Sequence, residues 1–182
     1  MNKLLISLMT LCLASFAQAA DFGVEVGFRQ QSGSVDSGFS AQSQMGYQVG
    51  AVGVFPISGA LGVRTGLMYV NRPLVVKNDA TGDDSKVTLN YFEIPAALSY
   101  AFEDYASVFG GVALSMHLDG NASNGARVTD EKSPIVPLIV GASFKFAPQL
   151  GGTLFFESGS GDVADGLKNY RAVGANLLIS FE

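Results

Sequence analysis

Eight times along this chain, apolar residues alternate with small or polar ones at a period of two, and the apolar side stays essentially free of charge throughout. The clearest stretch is "NYFEIPAALSYAF", Asn90 to Phe102. Phe92, Ile94, Ala96, Leu98, Tyr100 and Phe102 alternate there with Tyr91, Glu93, Pro95, Ala97, Ser99 and Ala101. Period two is the mark of a β-strand with two unlike faces. So much uninterrupted apolar face must be covered, either by a protein core or by lipid.

The other seven segments follow the same rule. Phe22, Val24, Val26 and Phe28 oppose Gly23, Glu25, Gly27 and Arg29. Met45, Tyr47, Val49, Ala51 and Phe55 oppose Gly46, Gln48 and Gly50. Leu61, Val63, Leu67 and Tyr69 oppose Gly62, Arg64, Gly66 and Arg72. Val108, Val112, Leu114, Met116 and Leu118 oppose Gly111, Ser115 and His117. Val136, Leu138, Val140, Ala142, Phe144 and Phe146 oppose Pro137, Gly141, Ser143 and Lys145. Leu154 and Phe156 oppose Thr153, Phe155 and Glu157; Val173, Ala175, Leu177, Ile179 and Phe181 oppose Gly174, Asn176 and Ser180.

The connections alternate in length. "PISGA", "EDY" and "APQ" are short, whereas "QSGSVDSGFSA", "PLVVKNDATGDDSK", "DGNASNGARVTDEKS" and "GSGDVADGLKN" are long and polar. An even number of ten-residue strands, with tight turns at one end and long loops at the other, is the pattern of a transmembrane β-barrel. The predicted fold is all-β: an eight-stranded, antiparallel, up-and-down transmembrane β-barrel.

A soluble barrel also has one apolar and one polar face, so polarity alone does not orient this one. The composition of the polar face does. It is mostly Gly, Ala, Ser, Gln and Asn, where a water-facing sheet carries many Lys and Glu. Its few charges are mixed in sign: Glu25, Arg29, Arg64, Arg72, Glu93, Lys145 and Glu157. Such a set can neutralise itself inside a narrow lumen. The apolar face carries aromatic residues near strand ends, as a lipid-facing band does.

Residues 1–19 read as a secretory signal peptide: "MNK", an apolar core too short to span a bilayer comfortably, and "AQA" ending at Ala19. Leu11 before Cys12 disfavours lipoprotein processing. Cleavage after Ala19 leaves a barrel of residues 20–182 without cysteine, so no disulfide supports it. The whole chain has 11 Lys and Arg against 16 Asp and Glu, and loss of Lys3 takes the net charge from −5 to −6. That balance argues against a nucleic-acid partner.

"LNYFEIPAALSYAF", "YASVFGGVALSM" and "FFESGSGDVADGLKNYRAVGANLLISF" together resemble the outer-membrane protein β-barrel domain family, the porin-family small barrels. Tyr91, Glu93, Ile94 and Pro95 match its tyrosine-x-glutamate-isoleucine-proline strand. Gly110 and Gly111 match the glycine-bearing strand that follows, and Leu167, Lys168 and Asn169 the final hairpin. The resemblance implies an eight-stranded barrel in the outer membrane of a Gram-negative bacterium, with no common enzymatic activity. Outer-membrane lipid, periplasmic chaperones and the outer-membrane assembly machinery are the implied partners. The chain departs from the pattern at its end, where Glu182 follows Phe181 and the last residue is not aromatic.

Candidate chemistry is sparse. His117 is the only histidine, and Ser115 and Asp119 flank it at i−2 and i+2, on one face of a strand. Strand residues two apart are separated by about 6.6 Å, too far for a Ser-His-Asp relay, so no catalytic residue is assigned. A lone histidine also argues against zinc. Asp79, Asp83 and Asp84, or Asp162 and Asp165, offer oxygen ligands but lack calcium-loop spacing. No metal or cofactor is expected. The inward charges are the most informative set, expected as two layers of ion pairs. Glu25, Arg64 and Lys145 should lie low, and Arg29, Arg72, Glu93 and Glu157 near mid-depth. Pro95, in a closed barrel with no free edge, should be accompanied by a bulge or a lumenal group. The expected role is a non-enzymatic surface protein with a side-chain-plugged lumen, its long loops meeting an extracellular partner. The alternative is a narrow conduit for small or hydrophobic solutes.

Overall fold

The computed structural model describes residues 21–35, 39–78, 82–122, 133–159, 162–164 and 167–181. The signal segment with Ala19, the aspartates Asp79 and Asp165, and Glu182 lie outside the described residues.

Ten strands form one antiparallel sheet. In chain order they are β1 (Asp21–Val35), β2 (Phe39–Gln42), β3 (Gln44–Ser58), β4 (Leu61–Asn78), β5 (Asp84–Glu103), β6 (Ala106–Ala122), β7 (Leu138–Ala147), β8 (Leu150–Ser158), β9 (Asp162–Ala164) and β10 (Leu167–Phe181). β2 and β9 are short and pair onto β4 and β10 beyond one end. The other eight make the wall, each paired with its sequence neighbour, and β10 returns to β1 to close it. The expected eight-stranded barrel is what the chain forms. Tight turns join β3 to β4, β5 to β6 and β7 to β8. In the first of these Gly59 has φ 54°, a left-handed value that glycine takes without penalty.

The registers set the geometry. Tracing paired residues once round gives Asp21, Val54, Arg64, Ala97, Gly111, Ile139, Glu157, Ala172 and then Gln31. The circuit returns to β1 ten residues above its start. With a rise of about 3.3 Å and strands about 4.8 Å apart, this stagger tilts the strands by about 40°, within the range for small barrels.

The apolar faces point outward. Leu98, Phe102, Phe146, Leu154 and Val173 are each more than half exposed. From Phe92 to Phe102 the outward band of β5 covers about 25 Å along the barrel axis at that tilt, the height of a lipid-facing band. Phe22, Phe55, Tyr100 and Phe102 form ring contacts near the short-turn end, and Tyr47, Tyr69 and Phe92 near the other.

Above Tyr69 and Phe92 the polarity reverses. Arg72 pairs with Leu89 and Leu74 with Val87, and these residues face in; Asn71 with Asn90 and Lys77 with Asp84 face out. Beyond a membrane the outer face of a wall meets water, and its inner face can pack. "PLVVKN" and "DSK", expected as loop, are therefore paired strand, and β4 and β5 run on as a ribbon to Asn78 and from Asp84.

Prolines shape the wall in two places. β7 begins at Leu138, later than the alternation suggests, because Pro134 and Pro137 cannot donate to a ladder. Ile135 holds that approach by an isolated bridge to Ser115. At Pro95 no register shift occurs. The β4–β5 ladder breaks off at Thr65–Ala96, passes Gly66 and Leu67, and resumes at Met68–Glu93 in the same register. The missing donor costs the ladder bonds, not the alignment.

Candidate functional site

Among the described residues the lumen gathers the buried charges, and it is divided along its length. At the short-turn end lies an open vestibule of about 670 Å³, with Ser99, Ser107, Ser143, Lys145, Val52 and Leu178 in its lining. Beyond it the space shrinks to a cavity of about 30 Å³ between Arg64 and Glu93, then to one of about 20 Å³ beside Arg72 and Tyr170. A water molecule needs about 10–15 Å³ on this measure, so each has room for no more than one or two waters.

The first charged layer closes the vestibule. Arg64 Nη2 lies 2.5 Å from Glu25 Oε1. Thr153 Oγ1 donates to the same carboxylate at 2.7 Å and Asn176 Nδ2 at 2.9 Å. Four strands thus supply one carboxylate and its three donors, and Glu25 is 1 % exposed. The Phe109 ring lies 4.7 Å from the Arg64 guanidinium carbon, adding a cation–π contact. Ala97, Phe109 and Phe155 pack alongside.

Four residues further along β1, about 10 Å up the axis, is a second and larger layer. Glu157 on β8 sits between two arginines, 2.7 Å from Arg29 Nη2 and 2.7 Å from Arg72 Nη2. Glu93 on β5 accepts from Arg72 and lies 3.9 Å from Arg29. Two cations and two anions alternate in a closed, neutral ring, all of it buried. Gln48 accepts from Arg29 at 3.0 Å, and Tyr170 accepts from Arg29 and donates to Gln31. The rings of Tyr91 and Tyr170 flank the Arg72 guanidinium at 4.6 and 4.4 Å. A planar, delocalised cation tolerates this setting where a lysine would not. Leu89, Tyr91, Tyr170 and Ala172 then form an apolar cluster, with Val87 and Ile135 against it.

Six of the seven expected lumenal charges are gathered into these layers. Lys145 is not. Its amine lies at the short-turn mouth, 3.8 Å from Asp21, with both groups open to solvent. Depth also differs from expectation. Glu25 and Arg64 lie near mid-depth, since Arg64 pairs with Ala97 at the centre of the β5 band. The larger ring sits level with the upper aromatic residues: Arg29 follows Phe28, and Glu93 adjoins Phe92. Alternation assigns a face, but height depends on the stagger between strands.

His117 is removed from any relay by a bulge. Tyr91 pairs with His117 but Asn90 with Asp119, so Leu118 is an extra residue and Asp119 turns outward. The His117 ring instead packs edge-on against Tyr91 at 5.2 Å. Among the described residues no group of three or more His, Cys, Asp or Glu is placed to hold a metal. Tyr170 and Gln31, which bond around the ring, are not among the expected lumenal residues, and Tyr91 is given an inward face by alternation but no role. Carrying the inward set of the last strand (Gly174, Asn176) two steps back, to the edge of the expected loop, reaches Ala172 and Tyr170.

Comparison with known proteins agrees with this architecture. No curated relative matches the chain. Among solved structures, Ail, the attachment invasion locus protein of Yersinia pestis, crystallised with the heparin analogue sucrose octasulfate, superposes with a TM-score of 0.56 at 13% identity, covering 90% of this chain and 100% of Ail. OprG of Pseudomonas aeruginosa gives 0.55 at 15% identity, covering 90% of this chain and 97% of OprG. Both are outer-membrane barrels, and at such identity they speak to the fold alone. A family model described as the outer membrane protein beta-barrel domain matches residues 16–180. Built as an eight-stranded barrel with a lipid-facing outer band, the chain belongs to the outer-membrane β-barrel domain family and resides in the Gram-negative outer membrane.

Proposed function

We propose that this is a non-enzymatic outer-membrane protein whose lumen is sealed by its own side chains and whose long-loop end meets the cell's surroundings. The observation carrying the reading is the neutral Arg29–Glu157–Arg72–Glu93 ring, backed on one side by Leu89, Tyr91, Tyr170 and Ala172 and on the other by Glu25–Arg64. A hydrated solute would have to break two sets of charge-assisted bonds and displace packed aromatic rings. An even strand number puts both termini on one side of the membrane; with a signal peptide cleaved after Ala19, that side is taken as the periplasm, and the long loops turn outward, toward an extracellular partner. Assembly would run through periplasmic chaperones and the outer-membrane assembly machinery, with Phe181 as the last aromatic residue.

The vestibule of about 670 Å³ favours a second reading, a narrow conduit entered from the periplasm. Planar-bilayer recording with purified protein separates the two. A sealed lumen gives no steady conductance at neutral pH. Stable ohmic single-channel steps would overturn the seal and establish the conduit.

A further inference from the structure

The vestibule at the short-turn end differs from the rest of the lumen in being open, and its charge changes sign with depth. Its floor is Arg64. The carboxylate that pairs with Arg64 is turned away, since Glu25 lines the small cavity beyond and not the vestibule. Glu25 takes Arg64 Nη2 alone, and a guanidinium carries five N–H donors in a fixed fork. A molecule entering from the short-turn end therefore meets a cationic floor. Ser99, Ser107 and Ser180 stand around it, with Val52 and Leu178 between them. The rim has the opposite sign. Among the described residues there, Asp21, Glu103 and Asp104 are opposed by Lys145, which lies 3.8 Å from Asp21.

We propose that the vestibule is a blind-ended binding site for a short free peptide, seated with its C-terminal carboxylate on Arg64 and its N-terminal ammonium at the acidic rim. The proposal rests on the sealed lumen, and on the short-turn end facing the periplasm for the source of the peptide. Depth sets the length of the occupant. Arg64 pairs with Ala97, and Glu103 lies six residues further along β5. At the strand tilt this is about 15 Å along the axis, which an extended chain of about four residues covers. Chemistry selects the peptide. The guanidinium fork matches a carboxylate in two parallel bonds. Serine hydroxyls both donate and accept, as backbone amides require, and Val52 and Leu178 give small side chains an apolar contact. A phosphate ester would carry a second negative charge past the acidic rim, and a neutral saccharide makes no use of the cationic floor.

The test titrates tetra-alanine into the purified barrel in detergent micelles and reads binding by calorimetry. The wild type should show saturable one-to-one binding. The C-terminal amide of tetra-alanine should bind about tenfold more weakly, as loss of a charge-assisted bond requires, and N-acetyl tetra-alanine should also bind more weakly. Ser99→Leu narrows the vestibule opposite Gly62, leaves the Arg64–Glu25 bond in place and should abolish binding. Arg64→Met/Glu25→Gln, which leaves no charge alone in the layer, should remove the preference for the acid over the amide. No binding by the wild type, equal affinity for acid and amide, or unchanged binding by Ser99→Leu overturns the site. Equal affinity for the N-acetyl peptide overturns the free peptide in favour of a protein's C-terminal tail. Binding in micelles depends on neither the seal nor the orientation, which bilayer conductance and antibody access to tagged loops report separately.

Discussion

Replacing Glu157 probes whether the lumen is dry. Its carboxylate makes two bonds of 2.7 Å, one to each arginine, and is 1 % exposed. Hydrogen bonds to charged groups contribute about 1.5–3 kcal/mol each, and breaking a buried ion pair from one side costs about 3–5 kcal/mol. Both routes put Glu157→Leu at about 3–5 kcal/mol, because Arg29 and Arg72 then share Glu93 alone. Glu93→Leu should cost less, about 1.5–3 kcal/mol: it loses one close contact with Arg72, while its Arg29 contact is 3.9 Å and Glu157 still bridges both cations. Arg29→Leu/Glu157→Leu restores neutrality and should recover most of the loss, since apolar replacement of a whole buried pair is often neutral. The assay is equilibrium urea unfolding in lipid vesicles, read by the mobility shift between folded and unfolded barrel. Glu157→Gln, which keeps an acceptor, serves if the leucine variant does not assemble. A Glu157→Leu cost below about 1 kcal/mol, the range of water-screened pairs, would refute the argument, as would a double variant no better than the single.

Leu98, 58% exposed and centred in the outward band, should tolerate Phe with little change, whereas Leu98→Arg should cost about 2–4 kcal/mol in the same unfolding assay. A soluble barrel, with Leu98 in its core, would instead make Leu98→Phe cost about 1–3 kcal/mol through overpacking. A Cβ at Gly111 would lie 2.2 Å from the Ala96 carbonyl oxygen and 2.5 Å from Ala97 Cα, so Gly111→Ala must push β5 and β6 apart. About 1–3 kcal/mol of overpacking is expected, seen as a lower urea midpoint. An epitope inserted at Ala80 or Gly161 should bind antibody on intact cells and one at Gly59 should not; the reverse pattern would invert the topology.

Much of the barrel was legible in one dimension because lipid and lumen impose period two locally. Each residue from Phe92 to Phe102 shows its face by parity alone, without reference to any other strand. The same holds for the inward Glu25, Arg29, Arg64, Arg72, Glu93 and Glu157. Three things needed the folded chain. The first is depth and partner choice: a ten-residue stagger round eight strands brings Arg29 of β1 to Glu157 of β8, and no local pattern carries that sum of registers. The second is the fate of Asp119, turned from lumen to surface by one extra residue at Leu118, because a single insertion inverts every face beyond it. The third is where the membrane ends. Above Tyr69 and Phe92 water lies outside and packing inside, so Leu74, Val87 and Leu89 look loop-like to a rule written for lipid. Parity belongs to the chain; stagger, bulge and boundary arise only when eight strands close on one another in a bilayer of fixed thickness.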